Sequence, residues 1–327
     1  MKHLKSLFAV LLAAFLIACG GSVQKTDTTQ HTALQVPSFS ADSAYAYVAE
    51  QVAFGPRVPN TPEHDACAAY LSSSLERMGA KVVCQEASLT AFDGSVLRAT
   101  NIIGSFSPEK QRRILLCAHW DSRPFSDAEA DPALWNTPID GANDGASGVG
   151  VLLEIARLIP GMNLNVGVDI IFFDAEDYGT PEFYQGPQGQ DTWCLGSQHW
   201  AKTPHVPNYK AEYGILLDMV GAPDALFTYE HFSYQYGAYL LEKVWKTAHN
   251  LGYGRWFVPT KTYPITDDHY YINTVAKIPC IDIIHHYPHT AHGFGSFWHT
   301  QADNLSGINK TTLAAVGNTL LHILAAE

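Results

Sequence analysis

Val166-Gly167-Val168-Asp169-Ile170-Ile171-Phe172-Phe173-Asp174-Ala175-Glu176-Asp177 runs from bulky, β-branched-rich residues straight into an acidic pair. The four apolar residues 170–173 read as the buried end of a strand, so the acids beyond them stand at a sheet edge. Adjacent acids point in different directions, and one can ligate a metal while its neighbour faces substrate as a proton carrier. The pattern recurs. Run 114–118 leads into His119 and Asp121, run 215–217 into Asp218, and run 281–284 into a histidine-rich loop that closes at His299. In an open α/β sheet, ligands bind beyond the carboxyl ends of the strands, where residues distant in sequence converge.

Working outward, strand-like runs are expected at 81–85, 99–104, 114–118, 166–173, 215–217 and 281–284. Helical spacing occupies 42–52, 63–78, 148–158, 196–202, 234–250, 268–274 and 308–325. Alternation of the two predicts an α/β fold with a mostly parallel central sheet flanked by helices. No composition break or repeat divides the chain after residue 36, and residues 37–327 read as one catalytic domain.

Ahead of it, Lys2, His3 and Lys5 precede an apolar stretch, 7–17, too short to span a bilayer but suited to an export signal over residues 1–18. Leu16-Ile17-Ala18-Cys19 resembles a lipobox, with residues 19–36 as a polar tether. The expectation is an exported protein, a periplasmic or outer-membrane lipoprotein that meets the membrane only through a lipid on Cys19. The formal charge of -12 and the lack of basic clusters argue against nucleic acid as a partner. Oligomeric state is not legible. No Cys-x-x-Cys pair is present, which disfavours a thiolate zinc cluster. Cys67 with Cys84 is the expected disulfide if one forms, since a helix and a returning strand can bring them together.

The segment Gly141-Ala142-Asn143-Asp144-Gly145-Ala146-Ser147-Gly148 is the strongest local signal. Its glycines allow a sharp turn that carries Asp144 to the start of the next helix, where negative charge is favoured. It lacks the spacing of a serine-hydrolase elbow. It also lacks the glycine triplet of a dinucleotide fingerprint. A metal-free binding module on the same scaffold should have lost its ligands, and this chain keeps them. Of the histidines at 285, 286, 289, 292 and 299, His299 is singled out by the aromatic pair Phe297-Trp298 before it; the other four are expected to be bystanders.

In order, Ala118-His119-Trp120-Asp121, the 141–148 segment, Phe173-Asp174-Ala175-Glu176-Asp177, Leu217-Asp218-Met219 and His299-Thr300 resemble the co-catalytic zinc aminopeptidases. Within that superfamily, Leu217-Asp218-Met219-Val220-Gly221-Ala222-Pro223, Ile265-Thr266-Asp267-Asp268-His269 and Phe297-Trp298-His299-Thr300 followed by Asp303-Asn304 resemble animal-type glutaminyl-peptide cyclotransferases and their bacterial relatives. Phe54-Gly55-Pro56-Arg57 fits both groups. The resemblance implies a zinc-aminopeptidase-like single domain.

The two resemblances imply different metal counts. The peptidase pattern implies two zinc ions bridged by Asp144, with His119 and Asp218 on one, Asp177 and His299 on the other, and Glu176 as general base. The cyclase pattern implies one zinc per chain on Asp144, Asp177 and His299. Peptides or proteins with N-terminal glutamine are then the substrates, Glu176 shuttles a proton, and Asp218 and Asp267 form a supporting network. Trp298 and Phe294 line the pocket. Three departures from the animal pattern stand out: Asp177 in place of glutamate, a peptidase-like 141–148 segment, and Asp282 near the position of a pocket histidine.

Overall fold

In the computed structural model, residues 36–327 are described, apart from Gln188 and Gln190. The expected signal, lipobox and Cys19 anchor lie outside the described residues, as does all of the tether except Val36. Helices α1 (Ala41–Ala53) and α2 (Pro62–Arg77) lead into strands β1 (Lys81–Thr90), β2 (Val96–Phe106) and β3 (Arg113–His119). Then come α3 (Ala146–Leu158), β4 (Gly167–Phe173), α4 (Leu195–Lys202), β5 (Tyr213–Asp218) and β6 (Phe227–Tyr229). The chain closes with α5 (His231–Asn250), β7 (Phe257–Lys261), α6 (Asp268–Tyr271), β8 (Cys280–Ile284) and α7 (Lys310–Ala325).

Six strands form the main sheet in the order β1-β2-β4-β3-β5-β8. The four inner and far strands β4, β3, β5 and β8 run parallel, and the β1–β2 hairpin lies antiparallel against β4. The sheet is thus mixed, with the expected parallel core. β4 is buried at every position, as a strand covered on both faces must be.

Alternate strand residues feed two cores. Leu116, Ile170 and Ile215 pack with α1, α2, α3, α5 and α7 on one face, while Leu115, Cys117, Ile171 and Leu216 pack with Trp200 of α4 and Tyr271 of α6 on the other. Each fully buried aliphatic side chain contributes about 1.5–3 kcal/mol of transfer free energy. The register that this burial enforces is what levels the strand ends. Cys117 pairs with Leu216, and His119 with Phe173, so His119, the residues after Phe173, and Asp218 emerge along one edge.

α3 approaches that edge closely. A Cβ on Gly148 would sit 2.4 Å from the carbonyl oxygen of Leu217, so the glycine admits the helix against β5. Gly145, at φ 86, turns the chain where a Cβ would meet Asp121 and His119 at 2.9 Å. These contacts give packing reasons for both glycines.

Several boundaries move. β1 and β2 extend well beyond 81–85 and 99–104, and the 268–274 helix is a short α6 passing into a π-helical turn at Ile272–Ala276. The parallel pair β6–β7 lay outside the expected strands. The Cys67–Cys84 disulfide is also corrected, because both cysteines are free. Cys67 is buried beside Arg57 and Asp174, whereas Cys84 is exposed near Ser72 and Glu76, further along α2.

Candidate metal centre and active site

The turn after β4 is aimed by one carboxylate. Asp121 accepts the backbone N–H of Glu176 at Oδ1 and that of Asp177 at Oδ2, both at 3.1 Å. Ala175 is held in the left-handed region, φ 51, so that the two acids diverge. Met219 and His299 share that backbone region at φ 49 and 52. Non-glycine residues there cost on the order of 1 kcal/mol each and persist where the surroundings over-determine them, typically at functional sites.

The segment before α3 is fixed from two sides. Asp303 accepts the N–H groups of Asn143 at 2.7 Å and Asp144 at 3.0 Å, while Asn143 Oδ1 accepts the N–H of Gly221 and Ser147 Oγ that of Val220. Buried Arg57 donates to the carbonyls of Trp120, Asp140 and Gly141, which gives the Phe54-Gly55-Pro56-Arg57 motif its physical role. Burial beside Asp144 pushes the Asp303 carboxyl up to about 7.

Asp144, Asp177 and His299 offer ligand atoms that all lie within 4.8 Å of one another, and all three are buried. His299 Nε2 is 3.2 Å from Asp177 Oδ1 and 3.9 Å from Asp144 Oδ2. Asp177 Oδ2 is buried without a hydrogen-bond partner. On the far side of the ring, His299 Nδ1 lies 3.3 Å from Asp127 Oδ1, so Asp127 backs the face of the imidazole opposite the acids. Asp127 is itself gripped at both oxygens by Arg123, whose guanidinium also donates to the Asp177 carbonyl. One imidazole and two carboxylates, with an orphaned oxygen among them, fit a zinc ion that keeps a position open.

A second group shares Asp144. His119 Nε2 lies 3.0 Å from Asp144 Oδ1 and 3.2 Å from Asp218 Oδ1, and these three also fit within 4.8 Å. Burial alone would discharge His119, but its bonds to Asp121, Asp144 and Asp218 lift its pKa well above the ordinary value. His119 Nε2 thus stands between the two carboxylates. Burial likewise opposes the charge on Asp144, yet the His119 bond and the charges of His119, His299 and Arg123 hold its pKa below normal.

The remaining acids crowd around Glu176. A Glu176 oxygen, a carboxylate oxygen of Asp267 and the Cys194 sulfur all lie within 4.8 Å of one another. Burial, then the charges of Asp267, Asp177 and Asp268, raise the Glu176 carboxyl well above its usual range. Burial and like charge do the same to Asp218, Asp268 and Asp282, so protons are held among them. Asp218 and Asp267 have different neighbours: Asp218 contacts His119, whereas Asp267 groups with His269 and Asp282.

Asp144, Glu176, Asp177, Asp218, Asp267 and His299 line one cavity of about 780 Å³. Trp298 and Phe294 form its aromatic wall, 5.0 Å apart between ring centroids, and Trp298 stacks on His299 at 3.5 Å. His119 is buried and is not among the lining residues. The residues picked as catalytic, substrate-binding or metal-holding thus line this cavity, except His119, which contacts Asp144 and Asp218.

Sequence reasoning passed over others. Trp193 lines the cavity, stacks near-parallel to His299 at 5.9 Å and covers the Arg123 guanidinium. Glu230 accepts from Phe232, Ser233 and Ile265 backbone N–H groups and contacts His269 Nε2 at 3.0 Å, holding the segment that carries Asp267. Of the expected bystander histidines, His286 and His292 do line the cavity, and His285 is buried with its pKa lowered by desolvation to about 4. No local pattern marks these residues, because their partners are distant in sequence.

Fold and site together define a metal-dependent α/β enzyme whose reacting groups stand at the carboxyl edge of a mixed sheet. The chain belongs to peptidase family M28, whose model matches residues 101–324. A glutaminyl cyclase of Tannerella forsythia is 58% identical, with a TM-score of 0.87 over 89% of this chain and 100% of that one. A Zn-dependent exopeptidase of Parabacteroides distasonis is 58% identical, with a TM-score of 0.88 and the same coverage of 89% and 100%. The glutaminyl-peptide cyclotransferase of Bos taurus is 25% identical, covering 99% of this chain and 95% of that protein.

Proposed function

We propose that this chain is a glutaminyl-peptide cyclotransferase, converting the N-terminal glutamine of peptides and proteins to pyroglutamate with release of ammonia. The observation that carries the reading is the carboxylate of Asp267 beside Glu176, within the 4.8 Å group that also includes Cys194. A proton-holding neighbour suits a base that must accept a proton and hand it on, and likeness to named glutaminyl cyclases supports the same choice.

Asp144, Asp177 and His299 would hold one zinc per chain, which when bound supplies Lewis-acid polarisation of the substrate's side-chain carbonyl. The reaction joins the α-amine nitrogen to the side-chain amide carbon and breaks that carbon's bond to the amide nitrogen, which leaves as ammonia. Glu176 takes the proton from the attacking amine and delivers it to the leaving nitrogen. Asp218 and Asp267, each with a carboxyl that burial pushes up, donate to the developing charge. Trp298 and Phe294 close an aromatic wall that excludes competing water.

A second reading is a dizinc aminopeptidase, favoured by the His119, Asp144 and Asp218 group. The two are separated by products: incubation with a glutaminyl peptide yields ammonia and a pyroglutamyl peptide of unchanged residue count. Release of free glutamine with a shortened peptide assigns the peptidase instead. In the cell, the reading puts the enzyme outside the cytoplasm, tethered by a lipid on Cys19; labelling with a palmitate analogue and its loss in Cys19→Ser tests that location.

A further inference from the structure

Cys194 has no part in the reaction as written, yet it grips the proton carrier twice. Its backbone N–H donates to the Glu176 carbonyl at 2.9 Å, and its Sγ lies 3.1 Å from Glu176 Oε1. Its neighbours extend the clasp: Leu195 N–H donates to the Ala175 carbonyl and Gly196 N–H to that of Asp174, both at 3.0 Å. Cys194 adopts the left-handed conformation, φ 55, directly before α4, and is completely buried. An ordinary buried cysteine behaves as a small hydrophobe, and nothing in that role requires a left-handed backbone turned toward a carboxylate.

We infer that Cys194 is a positioning residue for Glu176: its S–H donates to Oε1 and fixes the carboxylate rotamer, leaving Oε2 as the oxygen that meets the substrate amine. Oε2 lies 4.0 Å from His119 Nδ1, so it is not taken up by a direct hydrogen bond there. Burial and the charges of Glu176, Asp268 and Asp267 raise the thiol's pKa well above normal, so the sulfur keeps its proton and remains a donor. A carboxylate free to rotate would present either oxygen, at varying distance, to the amine; misplacement by about 1 Å costs roughly 100-fold in rate.

The inference rests on Glu176 as the proton carrier, a role it keeps in both functional readings, so the effect is read on whichever turnover the wild-type enzyme displays. Cys194→Ala should lower kcat by about 10- to 100-fold, with KM, zinc content and melting temperature near wild type. Cys194→Ser, which restores a donor, should recover most of kcat. Unchanged kcat in the alanine variant overturns the inference, as does a serine variant no better than alanine. An independent readout covers an alanine variant that does not fold. In the infrared S–H stretching region, Glu176→Ala, which removes the acceptor altogether, should shift one thiol band to higher frequency; an unshifted spectrum overturns the inference.

Discussion

Asp121 binds, with its two oxygens, the backbone N–H groups of Glu176 and Asp177, and so sets the direction of both the proton carrier and a metal ligand. The same carboxylate lies 3.5 Å from His119 Nδ1. A residue two positions past a strand end therefore governs a turn on the neighbouring strand. Asp121→Asn keeps only one good acceptor, and one N–H is left opposite an amide NH2. Expected are a roughly 10- to 100-fold loss in kcat/KM and weaker zinc retention during dialysis against a chelator. Wild-type values for both would remove Asp121 from the account.

Glu176→Gln and His299→Ala should fail in different ways. The first preserves every proposed ligand, so zinc content stays at the wild-type level while turnover falls by about 100- to 10,000-fold. The second removes one of three protein ligands, and zinc itself should be lost on gel filtration. Elemental analysis beside an ammonia-release assay distinguishes the two outcomes.

Glu230 predicts a pH-dependent contribution to stability. Although burial opposes its charge, His269 and the N–H groups of Ser233 and Phe232 lower its pKa from 4.5 to about 2. A depressed acid stabilises the fold fully above its unfolded value and loses that contribution as pH falls through the folded value. The window is therefore about pH 4.5 down to 2, and the contribution on the order of 3 kcal/mol. In denaturant titrations, Glu230→Gln should be less stable than wild type at pH 6, with the gap closing toward pH 2. A gap independent of pH would refute the linkage.

With Cys67 and Cys84 both free, a thiol reagent should label Cys84 first in the native protein, since it alone of the five described cysteines is exposed. Cys67, buried with its pKa pushed up to about 12, should react only after unfolding. Mass mapping of a disulfide-linked Cys67–Cys84 peptide would contradict the structure.

Much of this site was legible because β3 and β5 end in a histidine and an aspartate, and β4 runs straight into acids. His119, Glu176, Asp177 and Asp218 announce themselves by following buried runs, and Asp144 by its flanking glycines. The β6–β7 pair was not legible, since Phe227–Tyr229 is only three residues long and Phe257–Lys261 contains Pro259, which weakens a strand reading. α5 begins earlier than expected because its cap is Glu230, whose preference for that position is weak and whose bonds to Ile265 and His269 arise only in three dimensions. Trp193, Cys194 and Asp127 escaped for the same reason: their roles are contacts with residues far along the chain.

The central claim is a single cation held by Asp144, Asp177 and His299, with His119 standing between the carboxylates of Asp144 and Asp218. Zinc per chain, measured by elemental analysis on the purified enzyme and on His119→Ala, tests it most directly. The account predicts one equivalent in both proteins. Two equivalents in the wild type, falling to one in His119→Ala, would contradict it and place a second ion between His119 and Asp218.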